Sequence, residues 1–331
     1  MRAPLISPFR RVSPASIATQ PHQPGDNLRG AALMSLSMVG FGLNDAVMKF
    51  VTQEMPLYQA IFLRGLAVMA AIALLAYRSG GLRLRLPRPE RIPMALRVLG
   101  ELGSTLLFLN ALQRMAIGDL SAVMQSLPLV IMLGAALIFG ESLGWRRTGA
   151  VVIGLLGVMI ILRPGSGAFG IWSLVALGAM ILIALRDLAT RGFSRAVSSE
   201  TIAFYAAVAV SAFGLVASLF QGWVMPGPSQ IGLLLMGGGF LTIGYVSAVS
   251  AMRMGEISYI APFRYVSLLV AIVAGLVIFG EWPDLWTWTG SALVVGAGVY
   301  TIWREARKII ASERRALSSP SCANHPCVVG L

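Results

Sequence analysis

Six ionisable side chains stand where the surrounding sequence is apolar: Asp45, Arg64, Glu101, Arg186, Asp187 and Arg264. A charge placed at the centre of a bilayer helix costs roughly 2.5–3.5 kcal/mol on insertion scales, so such residues face a cavity, a solute or a partner of opposite sign. Binding, gating and ion pairing are the chemistries this set can do. Catalysis is poorly served. The chain has no His-Glu-x-x-His zinc motif and no phosphate-cradling Gly-x-x-x-x-Gly-Lys-Ser/Thr loop. Its two histidines, His22 and His325, both lie outside the apolar stretches. Cys322, His325 and Cys327 offer three ligands near the C-terminus, one short of a closed structural zinc site, so no metal and no cofactor is expected.

The elements that must hold these charges follow from composition. Hydrophobic residues make up 56% of the 331 positions and charged ones 12%. Soluble domains average roughly 45–50% and 25%. The apolar residues come in runs of about 20, the length that crosses a bilayer as a helix. Ten spans are predicted, over 30–50, 56–77, 94–114, 119–139, 146–162, 169–190, 200–220, 230–251, 257–279 and 286–303. Residues 1–28, with five prolines and no long apolar run, read as a disordered basic tail. Residues 305–331 read as a second tail.

The formal charge of +12 invites a nucleic-acid reading, but cytoplasmic loops of membrane proteins are rich in Lys and Arg. With both termini placed in the cytoplasm, about 20 positive residues gather there, including Arg78, Arg83, Arg85, Arg88, Arg91, Arg97, Arg146, Arg147 and the tail arginines. Only Lys49, Arg114 and Arg163 stay on the other side. The expected partners are therefore a lipid bilayer and a small-molecule substrate, with no nucleic acid, in a monomer or homodimer.

The chain also repeats itself. Leu137-Ile138-Phe139-Gly140-Glu141, then Trp145 and Thr148-Gly149, returns about 140 residues later as Val277-Ile278-Phe279-Gly280-Glu281, then Trp286 and Thr289-Gly290. Met115-Ala116-Ile117-Gly118-Asp119-Leu120-Ser121 returns as Met252-Arg253-Met254-Gly255-Glu256-Ile257-Ser258. Leu43-Asn44-Asp45 with Lys49 returns as Leu185-Arg186-Asp187 with Arg191. A duplication explains three matches in one order. The halves are 29–163 and 168–304. Each has five spans, an odd number, so the second is inverted. The fold class is an all-α integral membrane protein of ten helices in two inverted five-helix repeats. Inverted repeats are a plan of secondary transporters, whose site lies mid-membrane between the halves.

Prolines mark candidate helix breaks in corresponding spans: Pro128 in span 4 and Pro262 in span 9. Arg264 follows the second and, with Tyr259 and Tyr265, could bind an anionic or carbonyl-bearing group. Asn44, Asn110, Gln125 and Tyr245 would add hydrogen bonds. Arg64 and Glu101 lie at similar depth in neighbouring spans, which predicts an ion pair between them. Asp45 and Asp187, at repeat-related positions, could gate the two sides or pair with Lys49 and Arg191 one turn away. Arg264 could instead pair with Asp187 or Glu101. Gly149, Gly154, Gly157, Gly290, Gly296 and Gly298 suit close packing of spans 5 and 10. Gly237-Gly238-Gly239 could bend span 8.

On the Phe-Gly-Glu motifs ending spans 4 and 9, the glycine-rich spans 5 and 10 and the two five-helix halves, the sequence resembles the EamA family of the drug/metabolite transporter superfamily over about residues 30–304. The Leu43-Asn44-Asp45, Leu185-Arg186-Asp187 and Ala261-Pro262-Phe263-Arg264-Tyr265 stretches resemble a bacterial branch that includes importers of S-adenosylmethionine and of riboflavin. Aromatic amino-acid exporters of the superfamily are also similar. The resemblance implies a bacterial inner-membrane location, cytoplasmic termini and a cavity lined by spans 1, 3, 4, 6, 8 and 9. The expected function is a secondary carrier working by alternating access, with riboflavin uptake first. S-adenosylmethionine uptake, export of amino acids or drug-like metabolites, and a membrane adaptor with no transport are the alternatives. The adaptor predicts mutually satisfied charges and no mid-membrane cavity.

Overall fold

The computed structural model describes residues 24–78, 86–139, 145–163, 170–190, 197, 199–254 and 261–317. Every regular element among them is helical. The first half comprises α1 (Pro24–Val51), α2 (Leu57–Arg78), α3 (Arg91–Arg114), α4 (Ile117–Met124), α5 (Leu127–Phe139) and α6 (Trp145–Leu162). The second comprises α7 (Ile171–Thr190), α8 (Ser199–Gln221), α9 (Pro228–Met254), a 3-10 turn (Ala261–Tyr265), α10 (Val266–Ala274), a π turn (Gly275–Phe279) and α11 (Leu285–Leu317).

Seven of these stretches are long and apolar enough to cross a membrane, and two shorter apolar helices, Thr148–Leu162 and Phe263–Phe279, fill the places of spans 5 and 9. The start of α11 supplies the tenth. Large apolar side chains such as Leu74, Leu156, Phe220, Leu235 and Val277 point outward, as lipid-facing surface requires. Two bounds differ from expectation. α1 begins at Pro24, inside the stretch read as a disordered tail, and proline is favoured in the first turn because its missing N–H needs no partner there. α11 runs on to Leu317 through what was read as tail.

The packing repeats as the sequence does. α1 lies along α9, and its repeat mate α7 lies along α3, the mate of α9. α2 packs on its own mate α8, and α6 on its own mate α11. The contacts map onto themselves when the halves are exchanged, which is a pseudo-two-fold arrangement. With five crossings per half, that exchange turns the second half over.

Glycines permit the closest approaches. A Cβ at Gly157 of α6 would stand 2.7 Å from the Gly290 carbonyl of α11. Gly149 and Gly296, by contrast, have nothing within 4 Å. The Gly237-Gly238-Gly239 bend does not form. α9 is continuous from Pro228 to Met254, and Gly238 instead packs on α2, where a Cβ would meet Ala67 at 2.7 Å.

Candidate functional site

Both helices marked by prolines are interrupted. α4 ends at Met124 and α5 starts at Leu127, so Pro128 sits in a first turn, where it lacks no partner. Pro262 lies in the 3-10 turn before α10. The two interruptions meet: Gln125 Nε2 donates to Ser267 Oγ at 2.6 Å, and that hydroxyl donates to the Arg264 carbonyl at 3.0 Å.

Beside this junction lies a cavity of about 300 Å³. That is the lower end of the roughly 300–1,000 Å³ common for small-molecule sites. Both halves line it. Asn44, Asp45, Arg64, Glu101, Gln125, Pro128, Arg186, Tyr245 and Arg264 are all in its wall, and Phe41 and Phe108 give it aromatic faces. It reaches towards the face where α1 begins, past Met38, Ile72 and Arg97.

Its charges form two clusters. In the first, Arg64 Nη1 donates to Asn44 Oδ1 at 3.0 Å, and Asn44 Nδ2 donates to Asp45 Oδ1 at 3.0 Å. In the second, Glu101 accepts from Arg186 Nη1 at 2.9 Å and from Tyr245 Oη at 3.2 Å, and its other oxygen lies 2.8 Å from Arg97 Nη1. Arg186 Nε also donates to Asp187 Oδ1 at 3.0 Å. The predicted Arg64–Glu101 ion pair is therefore absent. α2 turns Arg64 towards α1, while α3 turns Glu101 towards α7. Arg264 pairs with neither Glu101 nor Asp187 among the described residues.

Three expected site residues stand elsewhere. Asn110 Nδ2 donates to Leu106 O of its own helix at 2.8 Å and is not in the cavity wall. Tyr265 packs its hydroxyl against Gly298 of α11, because consecutive helical residues point in different directions and Arg264 already faces the cavity. Asp187 stays behind Arg186, outside the wall. Tyr259 and Arg191 lie outside the described residues.

A third cluster closes the opposite end. Pairing with Asp45 was one of two alternatives for Lys49; instead its Nζ lies 2.6 Å from Glu281 Oε1 and donates to Met115 O at 2.7 Å. Glu281 Oε2 accepts from the Ile117 N–H at 2.9 Å. This gives the second Phe-Gly-Glu motif a physical meaning. Phe279 places its ring 5.0 Å from Lys49 Nζ. Gly280 takes a left-handed conformation (φ 66°) that few other residues accept, which ends the helix and returns Glu281 N–H to Gly275 O at 2.8 Å. Glu281 is thus aimed back at α1. Around it Met48, Val51, Met55, Leu57, Leu112, Ile117 and Leu120 form a buried apolar plug. Sequence reasoning missed this cluster, whose partners are 232 residues apart. It also missed Arg97, although four-residue spacing from Glu101 was the available signal.

Comparisons with known proteins agree with this architecture. The sequence profile of the EamA-like transporter family matches twice, over residues 28–163 and 170–303. A riboflavin transporter of Rhizobium johnstonii is 27% identical over 86% of this chain and 95% of its own length. An S-adenosylmethionine uptake transporter of Rickettsia prowazekii is 24% identical over 85% of this chain and 95% of its own length. A protein crystal structure shares the fold, with a TM-score of 0.60 at 22% identity, over 81% of this chain and 95% of that one. A doubled profile over nearly all the helical region, on a helical bundle with the same internal duplication, makes this multi-pass membrane protein a member of the EamA-like transporter family.

Proposed function

We propose that this chain is a secondary carrier that imports a small, flat, polar metabolite across the bacterial inner membrane, with riboflavin as the leading cargo. The observation that carries this reading is the cavity between the halves, bounded by both helix interruptions and faced by Phe41, Phe108 and Tyr245 together with Arg64 and Arg264. Aromatic faces suit a fused heterocycle, and guanidinium groups suit its carbonyl oxygens. The named activity of the Rhizobium relative supports the same cargo.

The surplus of Lys and Arg supports placing the face where α1 begins in the cytoplasm. The cavity then extends towards the cytoplasm, and the Lys49–Glu281 cluster closes the outer side. Alternating access consists of exchanging that closure for one at the inner side, with no chemical change in the cargo. A second reading, uptake of S-adenosylmethionine, is favoured by the Asp45 carboxylate in the wall, which suits a cationic group.

The test is uptake of labelled riboflavin into liposomes holding the purified carrier. Wild-type protein is expected to accumulate label, and Arg264→Ala to fail while remaining abundant in the membrane. Undiminished uptake by Arg264→Ala removes Arg264 from the site. No uptake of either vitamin or sulfonium compound by the wild type overturns the import reading.

A further inference from the structure

Arg64 is 6% exposed and lies in the cavity wall, yet it has no carboxylate within ion-pair distance among the described residues. Its only hydrogen bond there goes to Asn44 Oδ1, and its Nε is buried with no partner. Asp45 has the complementary defect. One of its oxygens accepts from Asn44 Nδ2, and no described residue donates to the other. Asn44 itself is 3% exposed and fixed between them. A buried guanidinium and a nearby carboxylate would ordinarily close into a direct pair, because each alone is costly to desolvate. Here the amide uses one acceptor and one donor to bridge them and holds them apart.

We propose that Arg64 and Asp45, separated by Asn44, form a two-part docking site for a ligand edge that carries a hydrogen-bond acceptor beside an N–H donor. The acceptor takes the free donors of Arg64, and the N–H meets the free oxygen of Asp45. This rests on the carrier reading above and specifies which part of the cargo is recognised. Two sources present such an edge: the carbonyl–imide edge of a flavin, and the carboxylate–ammonium head of an amino-acid derivative. Asn44 is the positioning residue, and Arg64 and Asp45 are the contacts. Charge-assisted bonds to both groups, each about twice as strong as neutral ones, would make the edge a main determinant of specificity.

The experiment is competition binding to the full-length carrier in liposomes. The probes are riboflavin, 3-methylriboflavin (which lacks the imide N–H), S-adenosylmethionine and its desamino analogue (which lacks the ammonium N–H and keeps the sulfonium charge). Whichever parent compound binds, its edge-deficient analogue is expected to bind roughly tenfold or more weakly. Asp45→Asn, which keeps shape and loses charge, is expected to shrink that difference to within about twofold, and Arg64→Gln to weaken the parent itself. The parent that shows the difference identifies the source. Equal binding of parent and analogue overturns the docking site while leaving the carrier reading intact. Binding of none of the four overturns both. If Arg64→Gln is poorly folded, the analogue comparison on wild-type protein decides alone.

Discussion

The sequence pairs Asn44-Asp45 of α1 with Arg186-Asp187 of α7, and the structure uses the two dipeptides in opposite ways. On α7 the arginine is adjacent to its aspartate, bonds it, and reaches across to Glu101. Arg97 and Tyr245 complete that network, so every carboxylate in it has a cationic or hydroxyl partner. On α1 an asparagine takes the place of the arginine, and the cation comes from α2 as Arg64 but never reaches Asp45. The α7 copy sits in a closed network that ties α3 of the first half to α7 of the second. The α1 copy sits in an open one within the first half, its Arg64 and Asp45 left without each other in the cavity wall. A duplicated fold can thus divide labour, with one copy of a polar position holding the halves together and the other left free for a solute.

The largest effect should come from breaking the closed member. Glu101→Gln leaves the buried Arg97 and the half-buried Arg186 beside a neutral amide. Breaking a buried pair typically costs about 3–5 kcal/mol, because the surviving charge keeps its desolvation penalty. We expect a clear fall in thermal stability and membrane abundance, with turnover per folded molecule less affected. Arg186→Asn, which transplants the α1 chemistry onto α7, should do the same. An abundant, stable but inactive Glu101→Gln protein would move Glu101 from glue to mechanism.

Breaking the open member should do the reverse. Asn44→Ala removes the bridge and lets Arg64 reach Asp45. The lost hydrogen bonds amount to about 1–2 kcal/mol of stability, partly offset by the new ion pair. Transport should suffer more, as a rise of roughly tenfold in KM with little change in kcat. Uptake that survives Asn44→Ala with an unchanged KM would remove the distinction drawn between the two dipeptides.

The Lys49–Glu281 cluster is a third case, cross-half like the Glu101 network but at the sealed end. Lys49 is 7% exposed and Glu281 28%, so solvent screens the pair only in part, and Lys49→Met, which also strips the Met115 carbonyl of its donor, should cost about 1–2 kcal/mol. The expected change is in access. In a carrier with Cys322 and Cys327 replaced, Leu109→Cys in the cavity wall should label slowly from the sealed face, and faster once Lys49→Met is added. Identical labelling rates would show that the apolar plug closes this end without the ion pair.

Much of this was legible beforehand because it depends on period and composition. Apolar runs of span length, an odd number per half and two prolines at matching places specify ten crossings, inversion and two interruptions. Partner choice was not legible. Depth along a span sets the height of a side chain but not its rotation about the helix axis, which is why equal depth wrongly joined Arg64 to Glu101. The triple glycine of α9 read as a bend because glycine weakens helices. Packing against α2 gave it a different use. Asn110 shows the same limit from another side, since its amide was free to bond its own helix at Leu106.

Tyr265 offers the smallest effect and a clean control. Beside Arg264 in the sequence, it was expected in the cavity. In the structure its hydroxyl is buried against α11 at Gly298, with no hydrogen-bond partner. Burying an unpaired hydroxyl is unfavourable, so Tyr265→Phe should leave stability unchanged or raise it by about 1 kcal/mol, and transport should be unaffected. The contrast with Arg64 is instructive, since both carry a buried donor without a partner. Arg64 borders space that a solute can fill, whereas Tyr265 borders a helix that cannot move aside without parting α11 from the 3-10 turn. If Tyr265→Phe lowered cargo affinity while Asp45→Asn did not, the binding surface would lie on the side of the 3-10 turn and α11, and the α1–α2 cluster would become the structural one.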